Sequence, residues 1–151
     1  MNIVAIGAHP DDLEIFAYGF LAAASSRGDN LILGVATDGA VGGVNQGAEL
    51  ARQRAEEAKN GLAALGTPTL LDLPDGQLAD APNAQNRIKD FIRNAAPDLV
   101  ITHAPEDYHP DHRALAAYVR DAAGFICPVL FCDTLMGVGF TPDYYIDITP
   151  H

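Results

Sequence analysis

The sequence predicts a Rossmann-like three-layer α/β domain with a mostly parallel sheet. Three observations favour this fold. Nearly continuous apolar runs recur along the chain, and such runs are typical of strands that are covered on both faces. Segments with helical spacing separate most of these runs, which implies right-handed crossovers and helices on both faces of the sheet. The length of 151 residues and a hydrophobic fraction of 48% suit one domain with a genuine core.

The N-terminal half alternates strand and helix. NIVAIGA (2–8) is almost entirely apolar and predicts a buried strand. Residues 11–27 carry apolar side chains at helical spacing and stop at a glycine, which commonly ends helices. LILGVAT (31–37) predicts a second buried strand, and residues 48–66 are rich in helix formers. The glycine-rich stretch 38–47 between them predicts a mobile loop.

The C-terminal half continues the pattern. The remaining predicted elements are a short strand at 68–73, a helix at 83–96 that ends before a proline, a strand at 98–104, a polar loop leading into a helix at 113–124, and strands at 128–133 and 144–148. The chain stops directly after the last of these strands, with no helix to cover it. We therefore expect residues 1–151 to be a single domain that lacks its natural C-terminal segment.

The charge and the cysteines exclude some classes of function. A net charge of -11 and a pI near 4.5 argue against nucleic acid or an anionic membrane as a partner. Neither a membrane-spanning apolar run nor a signal-peptide pattern is present in the sequence, so we expect a cytoplasmic protein, with a homo-oligomer left open. Cys127 and Cys132 predict a reduced structural pair, because C-x4-C without a histidine is a poor zinc signature.

Two polar motifs follow apolar strands, HPDD after the first strand and HPDH after the fourth. Ligand sites in open parallel sheets lie at the carboxyl ends of the strands, near the switch point in strand order. If the first and fourth strands are neighbours, the two motifs converge. Adjacent carboxylates repel each other, so their burial calls for a cation. The two motifs together predict a metal site.

The spacing suggests a role for each residue near the metal. His9 and Asp12 are three residues apart at a helix start and can project from one side of it. Imidazole and carboxylate ligands suit zinc, or less selectively iron, manganese or cobalt. His112 is the best third ligand, which leaves one position for water, as in catalytic zinc sites. Asp11 points about 100° away from Asp12 and can act as a general base towards that water.

The remaining polar residues have supporting roles. His109 could stabilise an oxyanion or protonate a leaving nitrogen, and Asp111 could orient a histidine. Glu14 could hydrogen-bond the backbone of its own loop, and His103 is either a structural residue or a wall of the site. Taken singly, HPDD could be a helix N-cap and HPDH a solvated loop. Their placement after two predicted parallel strands favours a joint site.

With these residues in view, the sequence resembles the PIG-L/LmbE family of zinc-dependent de-N-acetylases. AHPDDLE and HPDHRA match the two motifs of that family, and ATDGAVGG, RAEE and LPDGQL resemble its intervening segments in order. The resemblance implies an LmbE-like fold and a hydrolase that removes an N-acetyl group from an N-acetylglucosamine-type small glycoconjugate through a metal-activated water.

The resemblance also implies residue roles. The implied catalytic residues are Asp11 as the general base, His109 in the electrostatic or acid role, and Asp111 as the partner that orients His109. The zinc ligands are His9, Asp12 and His112, and the substrate contacts are Arg54 and Asp75. A solvated helix charge is an almost equally good interpretation of Arg54, and a simple turn residue is an almost equally good interpretation of Asp75. The sequence departs from the family in the loop DGAVGG, which lacks the usual glutamate, and in its largely absent C-terminal region.

Three alternative functions stay open. The chain could be a metal-binding but catalytically inactive LmbE-like fragment. A nucleotide-binding Rossmann domain is disfavoured because G-x-G-x-x-G does not follow the first strand. A Mg²⁺-dependent phosphotransferase is disfavoured because Mg²⁺ seldom selects imidazole ligands, and it would leave HPDH without a purpose.

Overall fold

A computed structural model describes residues 1–133, 139 and 141–149, and within them a five-stranded parallel sheet forms the centre of the fold. Its strands are β1 (Asn2–Gly7), β2 (Asn30–Thr37), β3 (Thr69–Leu73), β4 (Leu99–His103) and β5 (Val129–Cys132). The strand order is β3-β2-β1-β4-β5, and every pair is parallel. The chain reverses its direction of growth across the sheet between β3 and β4, so β1 and β4 are neighbours. This confirms the predicted α/β fold.

Helices cover both faces of the sheet. A π-helical turn (Leu13–Ala17) leads into α1 (Tyr18–Ser26), and α2 is Ala48–Gly61, α3 is Ala84–Asn94 and α4 is Pro110–Ala123. The fourth helix begins three residues earlier than predicted. His109 is its N-cap, where the ring Nδ1 accepts the backbone N–H of Asp111 at 3.2 Å, and proline follows at the first helical position. HPDH is therefore the first turn of a helix and not a loop.

The core consists of one apolar layer on each side of the sheet, and β1 contributes to both. Ile3 and Ala5 pack with Leu13 and Leu21, on the side that α1 covers. Val4 and Ile6 alternate with them and face the opposite layer, which includes residues of α3 and α4 (Ile88, Ile92, Leu115 and Val119). Each fully buried side chain of this size contributes about 1.5–3 kcal/mol. The two layers hold β1, and the site residues after it, in a fixed position.

The predicted strand at 144–148 is wrong. These residues form no strand in the described structure, and Tyr144 and Tyr145 are 80% and 88% exposed. Ile148 instead packs over Gly19 of α1, where an added Cβ would lie 2.6 Å from its Cγ2. An alternating apolar pattern favours a strand only where a partner strand can pair with it, and no described strand does so here.

Two further expectations concern membrane-spanning helices and the two cysteines. In the described part of the chain no helix has both the length and the apolar character to cross a membrane. The cytoplasmic location stays a prediction. Cys127 and Cys132 are free, half-buried thiols, and burial raises the pKa of Cys132 to about 12.

Candidate metal centre

HPDD and HPDH meet at the carboxyl ends of β1 and β4, because these strands are adjacent and parallel. A cleft of about 640 Å³ opens at this edge of the sheet. It is lined by residues of both motifs and of their neighbouring loops, among them His9, Asp11, Asp12, Arg54, Asp75, His103, Asp107, His109 and His112. All residues predicted for the metal, base and substrate roles line this cleft; Asp111, buried behind His9, does not.

Donor atoms of the three predicted ligands lie close to one another in pairs, with a different oxygen of Asp12 nearest each histidine. His9 Nδ1 lies 3.2 Å from His112 Nε2 and 3.5 Å from Asp12 Oδ2, and His112 Nε2 lies 3.5 Å from Asp12 Oδ1. A tetrahedral ion with bonds of about 2.1 Å requires ligand–ligand separations of about 3.4 Å. The three side chains are buried, so they are held in place before any ion binds. These residues therefore fit a metal ion of this size.

Three groups of side chains in the described residues could each hold an ion, and each contains one or two of the predicted ligands. Each of three groups brings donor atoms within 4.8 Å of one another, and the groups are His9 with His109 and His112, Asp12 with His103 and His112, and His9 with Asp75 and Asp111. His103 is a wall of the site, because its ring stacks on His112 at 3.7 Å and its Nε2 lies 3.0 Å from Asp12 Oδ2. The described cleft thus contains more imidazole and carboxylate donors than a single ion needs.

The charges around His9 favour a cation. Burial by itself lowers the pKa of His9, but hydrogen bonds to Asp111 and Asp12 outweigh it and raise that pKa to about 10. Burial raises the pKa of Asp12, but contacts with His103 and His9 more than offset this and leave it below its ordinary value. In the metal-free protein a proton on His9 would therefore balance part of the carboxylate charge. A metal ion would replace that proton.

Asp11 is placed differently from Asp12. Its side chain is 51% exposed and accepts a hydrogen bond from Arg54 Nη2 at 2.8 Å. Burial raises the pKa of Asp11, and the positive charge of Arg54 opposes that rise. The backbone of Asp11 has φ of +150°, a conformation that costs non-glycine residues about 1–3 kcal/mol and is concentrated at functional sites. The adjacent aspartates are thus chemically distinct.

Arg54 and Asp75 are integral to the cleft. Arg54 has a side-chain exposure of only 13% and also donates to the carbonyl of Pro10 at 3.1 Å, so it is not a solvated helix charge. Asp75 Oδ1 lies 3.1 Å from His9 Nε2, and its Oδ2 accepts the N–H of Val41 at 2.9 Å. Asp75 therefore joins the turn after β3 to the first motif and to the loop after β2.

The resemblance implied that Asp111 orients His109, but the carboxylate of Asp111 contacts His9, and only its backbone N–H bonds to His109. Asp111 Oδ2 lies 3.2 Å from His9 Nε2, and the carboxylate also accepts the N–H groups of Gly76 and Leu78 at 2.7 and 3.0 Å. The helical turn is the reason: His109 caps α4 through the backbone of Asp111, which leaves the carboxylate directed towards the turn after β3. Burial lowers the pKa of His109, as does the charge of His9.

The simpler interpretations of both motifs are wrong. Asp12 makes no side-chain cap to the following helix, and its Oδ2 accepts the N–H of His9 at 2.7 Å instead. His112 and Asp111 are buried, so HPDH is not a solvated loop. Burial raises the pKa of Glu14, and a hydrogen bond from its own backbone N–H opposes that rise, whereas its Oε2 makes no hydrogen bond among the described residues.

Asp107 is a site residue that the sequence-based prediction missed; it is 3% exposed, and its carboxylate lies 2.9 Å from His112 Nδ1. The signal was available, because a carboxylate five residues before a candidate histidine ligand, in the same loop, can reach its second ring nitrogen. Within the glycine-rich loop, Val41 and Gly42 line the cleft as expected of a pocket rim. The mobility of that loop stays a prediction.

Comparison with known proteins gives consistent matches. The sequence model of one family, PIG-L (GlcNAc-PI de-N-acetylase), matches residues 4–123. A protein of Escherichia coli described as "Uncharacterized deacetylase YaiS" is 33% identical over 125 residues, which cover 76% of this chain and 63% of that protein. The chain therefore spans somewhat less than two thirds of the length of this curated relative.

Solved structures share the fold. The N,N'-diacetylchitobiose deacetylase of Pyrococcus horikoshii matches with a TM-score of 0.84 and 24% identity, covering 98% of this chain and 64% of that one. GalB, the 4-carboxy-2-hydroxymuconate hydratase of Pseudomonas putida, matches with a TM-score of 0.85 and 21% identity, covering 99% and 74%. A deacetylase and a hydratase thus share this architecture, so the fold alone does not choose between their reactions.

Proposed function

The chain belongs to the PIG-L family of GlcNAc-PI de-N-acetylases, and from this premise we propose that it is a zinc-dependent amide hydrolase. Its substrate is a small glycoconjugate that carries an N-acetylglucosamine-type group, and the products are acetate and the free amine. The observation that carries the proposal is the pairwise spacing of 3.2–3.5 Å between donor atoms of His9, Asp12 and His112, which is close to the separation expected between the ligands of one tetrahedral ion.

His9, Asp12 and His112 would hold the zinc ion. Two neutral imidazoles and one carboxylate are a typical donor set for catalytic zinc. A zinc ion bound there would act as a Lewis acid and lower the pKa of a water molecule towards neutrality. The burial of all three ligands supports this assignment, because a preformed site loses little conformational entropy when it binds an ion.

Asp11 would accept the proton of the attacking water. The half-exposed carboxylate lines the cleft beside Asp12, and its raised pKa brings its basicity closer to that of a useful general base. Its hydrogen bond to Arg54 fixes one carboxylate oxygen and leaves the other free for the water. The strained backbone at this position is consistent with a side chain that is held for chemistry.

His109 would donate a proton to the leaving nitrogen as the C–N bond breaks, or stabilise the oxyanion that precedes this step. Its ring lies 4.6 Å from that of His9 between centroids, at the edge of the cleft. Asp111 contributes indirectly by holding His9. Arg54 and Asp75 would contact the sugar, since both line the cleft and carry hydrogen-bonding groups that match hydroxyls.

The test combines metal analysis with an assay for the released amine. Purified protein should contain close to one zinc ion per chain and should deacetylate N-acetylglucosamine conjugates, and removing the zinc with a chelator should abolish turnover. A metal-loaded protein that releases no amine from a panel of N-acetylated sugars would instead support a metal-binding protein without this activity. Hydration of an unsaturated carboxylate by the same protein, without deacetylation, would favour the chemistry of the hydratase neighbour.

A further inference from the structure

Asp107 connects the loop after β4 to the predicted zinc ligand His112. Its Oδ2 lies 2.9 Å from His112 Nδ1, and its Oδ1 accepts the backbone N–H of His109 at 2.9 Å. Both carboxylate oxygens are therefore used, and the residue is 3% exposed. The backbone carbonyl of Asp107 accepts a further hydrogen bond from Arg113 Nη1 at 2.8 Å, which fixes the loop from outside.

We infer that Asp107 is a positioning residue that keeps His112 in the tautomer required for metal binding. A carboxylate beside Nδ1 keeps the proton on that nitrogen, so the lone pair is on Nε2, which is the atom that faces His9 and Asp12. The same contact fixes the rotation of the ring and makes Nε2 a better donor. The inference rests on the proposed zinc site but assigns a residue outside the proposed ligand and catalytic sets.

The arrangement around His9 supports this inference independently. Its Nδ1 faces the other ligands, while its Nε2 lies 3.1 Å from Asp75 and 3.2 Å from Asp111. Each predicted imidazole ligand thus has a buried carboxylate at the nitrogen that does not face the metal. Two histidines from different loops thus each contact a buried carboxylate through the ring nitrogen that faces away from the predicted metal. This repetition is consistent with carboxylates that orient the histidine ligands and not with a chance contact in one loop.

The experiment compares Asp107→Asn with Glu106→Gln. Glu106 is the preceding residue, is exposed, and loses the same charge when it is substituted, so it controls for long-range electrostatics. We expect Asp107→Asn to lower zinc affinity by about 10- to 100-fold, measured by competition with a chromophoric chelator, and Glu106→Gln to stay within about twofold of the native protein. Melting of the zinc-free proteins separates this effect from loss of fold.

Equal zinc affinity for Asp107→Asn and Glu106→Gln would overturn the inference, as would a lower melting temperature of the zinc-free protein with unchanged zinc affinity. If Asp107→Asn does not fold, the ¹⁵N spectrum of His112 in the zinc-loaded native protein decides the question. The inference requires a proton on Nδ1, and a proton on Nε2 would refute it. A native protein that binds no zinc would contradict the proposed function itself, whereas tight binding with an insensitive Asp107 would refute only this inference.

Discussion

The substitution Asp11→Asn tests whether two adjacent carboxylates have separate tasks. Asp11 is half exposed and pairs with Arg54, and exposed ion pairs contribute only about 0.2–1 kcal/mol to stability. For a chain of this length, about 1 kcal/mol corresponds to a melting shift of about 2–4 °C. We therefore expect a nearly native melting temperature and, because Asp11 is not among the proposed ligands, undiminished zinc content.

Turnover should respond far more strongly than stability. Loss of a general base lowers kcat by about 10²–10⁴-fold, which is about 2.7–5.4 kcal/mol in the activation free energy. Even the smaller of these activation free energies is more than twice the largest contribution of the ion pair to stability. The assay measures amine release at saturating substrate, together with zinc content and melting temperature.

A matched control is Asp29→Asn. Asp29 also pairs with an arginine, with Asp29 Oδ2 3.0 Å from Arg27 Nη2, and in addition its Oδ1 lies 2.9 Å from the N-terminal amine. It lies before β2, at the opposite end of the sheet from the cleft. This control should lose some stability and no activity per folded molecule. If the Asp11→Asn protein is fully metallated and keeps its kcat within about threefold, the assignment of Asp11 as the base is refuted.

Three further predictions concern the metal, the thiols and the core. The variants His112→Ala and His9→Ala should each lose tight zinc binding while the circular dichroism spectrum stays native, and Asp12→Asn should lower both zinc affinity and activity. A His112→Ala protein that binds stoichiometric zinc with unchanged affinity would contradict the convergence of the two motifs. Iodoacetamide at pH 8.5 should label Cys127 before Cys132, because burial raises the pKa of Cys132 to about 12. Peptide mass spectrometry measures the two labelling rates, and equal rates would argue against the burial of Cys132. Gly34→Ala should lower the free energy of unfolding in urea by about 1–3 kcal/mol, because the added Cβ would lie 2.7 Å from the ring of Phe91 in α3. An unchanged urea midpoint would show that α3 can shift to make room for this Cβ.

The sequence determined the layers and the location of the site. The apolar runs that became β1 and β4 are buried on both faces, and such runs predict a parallel sheet wherever helices separate them. Parallel strands place the loops at their carboxyl ends along one edge of the sheet, so the meeting of HPDD and HPDH could be expected from the order of the elements. The resemblance to a family then added residue roles, which spacing alone had left partly open.

Tertiary structure decided which side chains face each other. The carboxylate of Asp111 contacts His9 and the turn after β3, while its backbone N–H bonds to the ring of His109 at the cap of α4. Asp107 reaches His112 because the loop after β4 folds back over the first turn of that helix. Residues 144–148 have the pattern of a strand but lie outside the sheet. Local pattern specifies the type of an element and which residues share a face, whereas rotamers, partners and the donor atoms that converge on one ion depend on contacts between residues far apart in the chain.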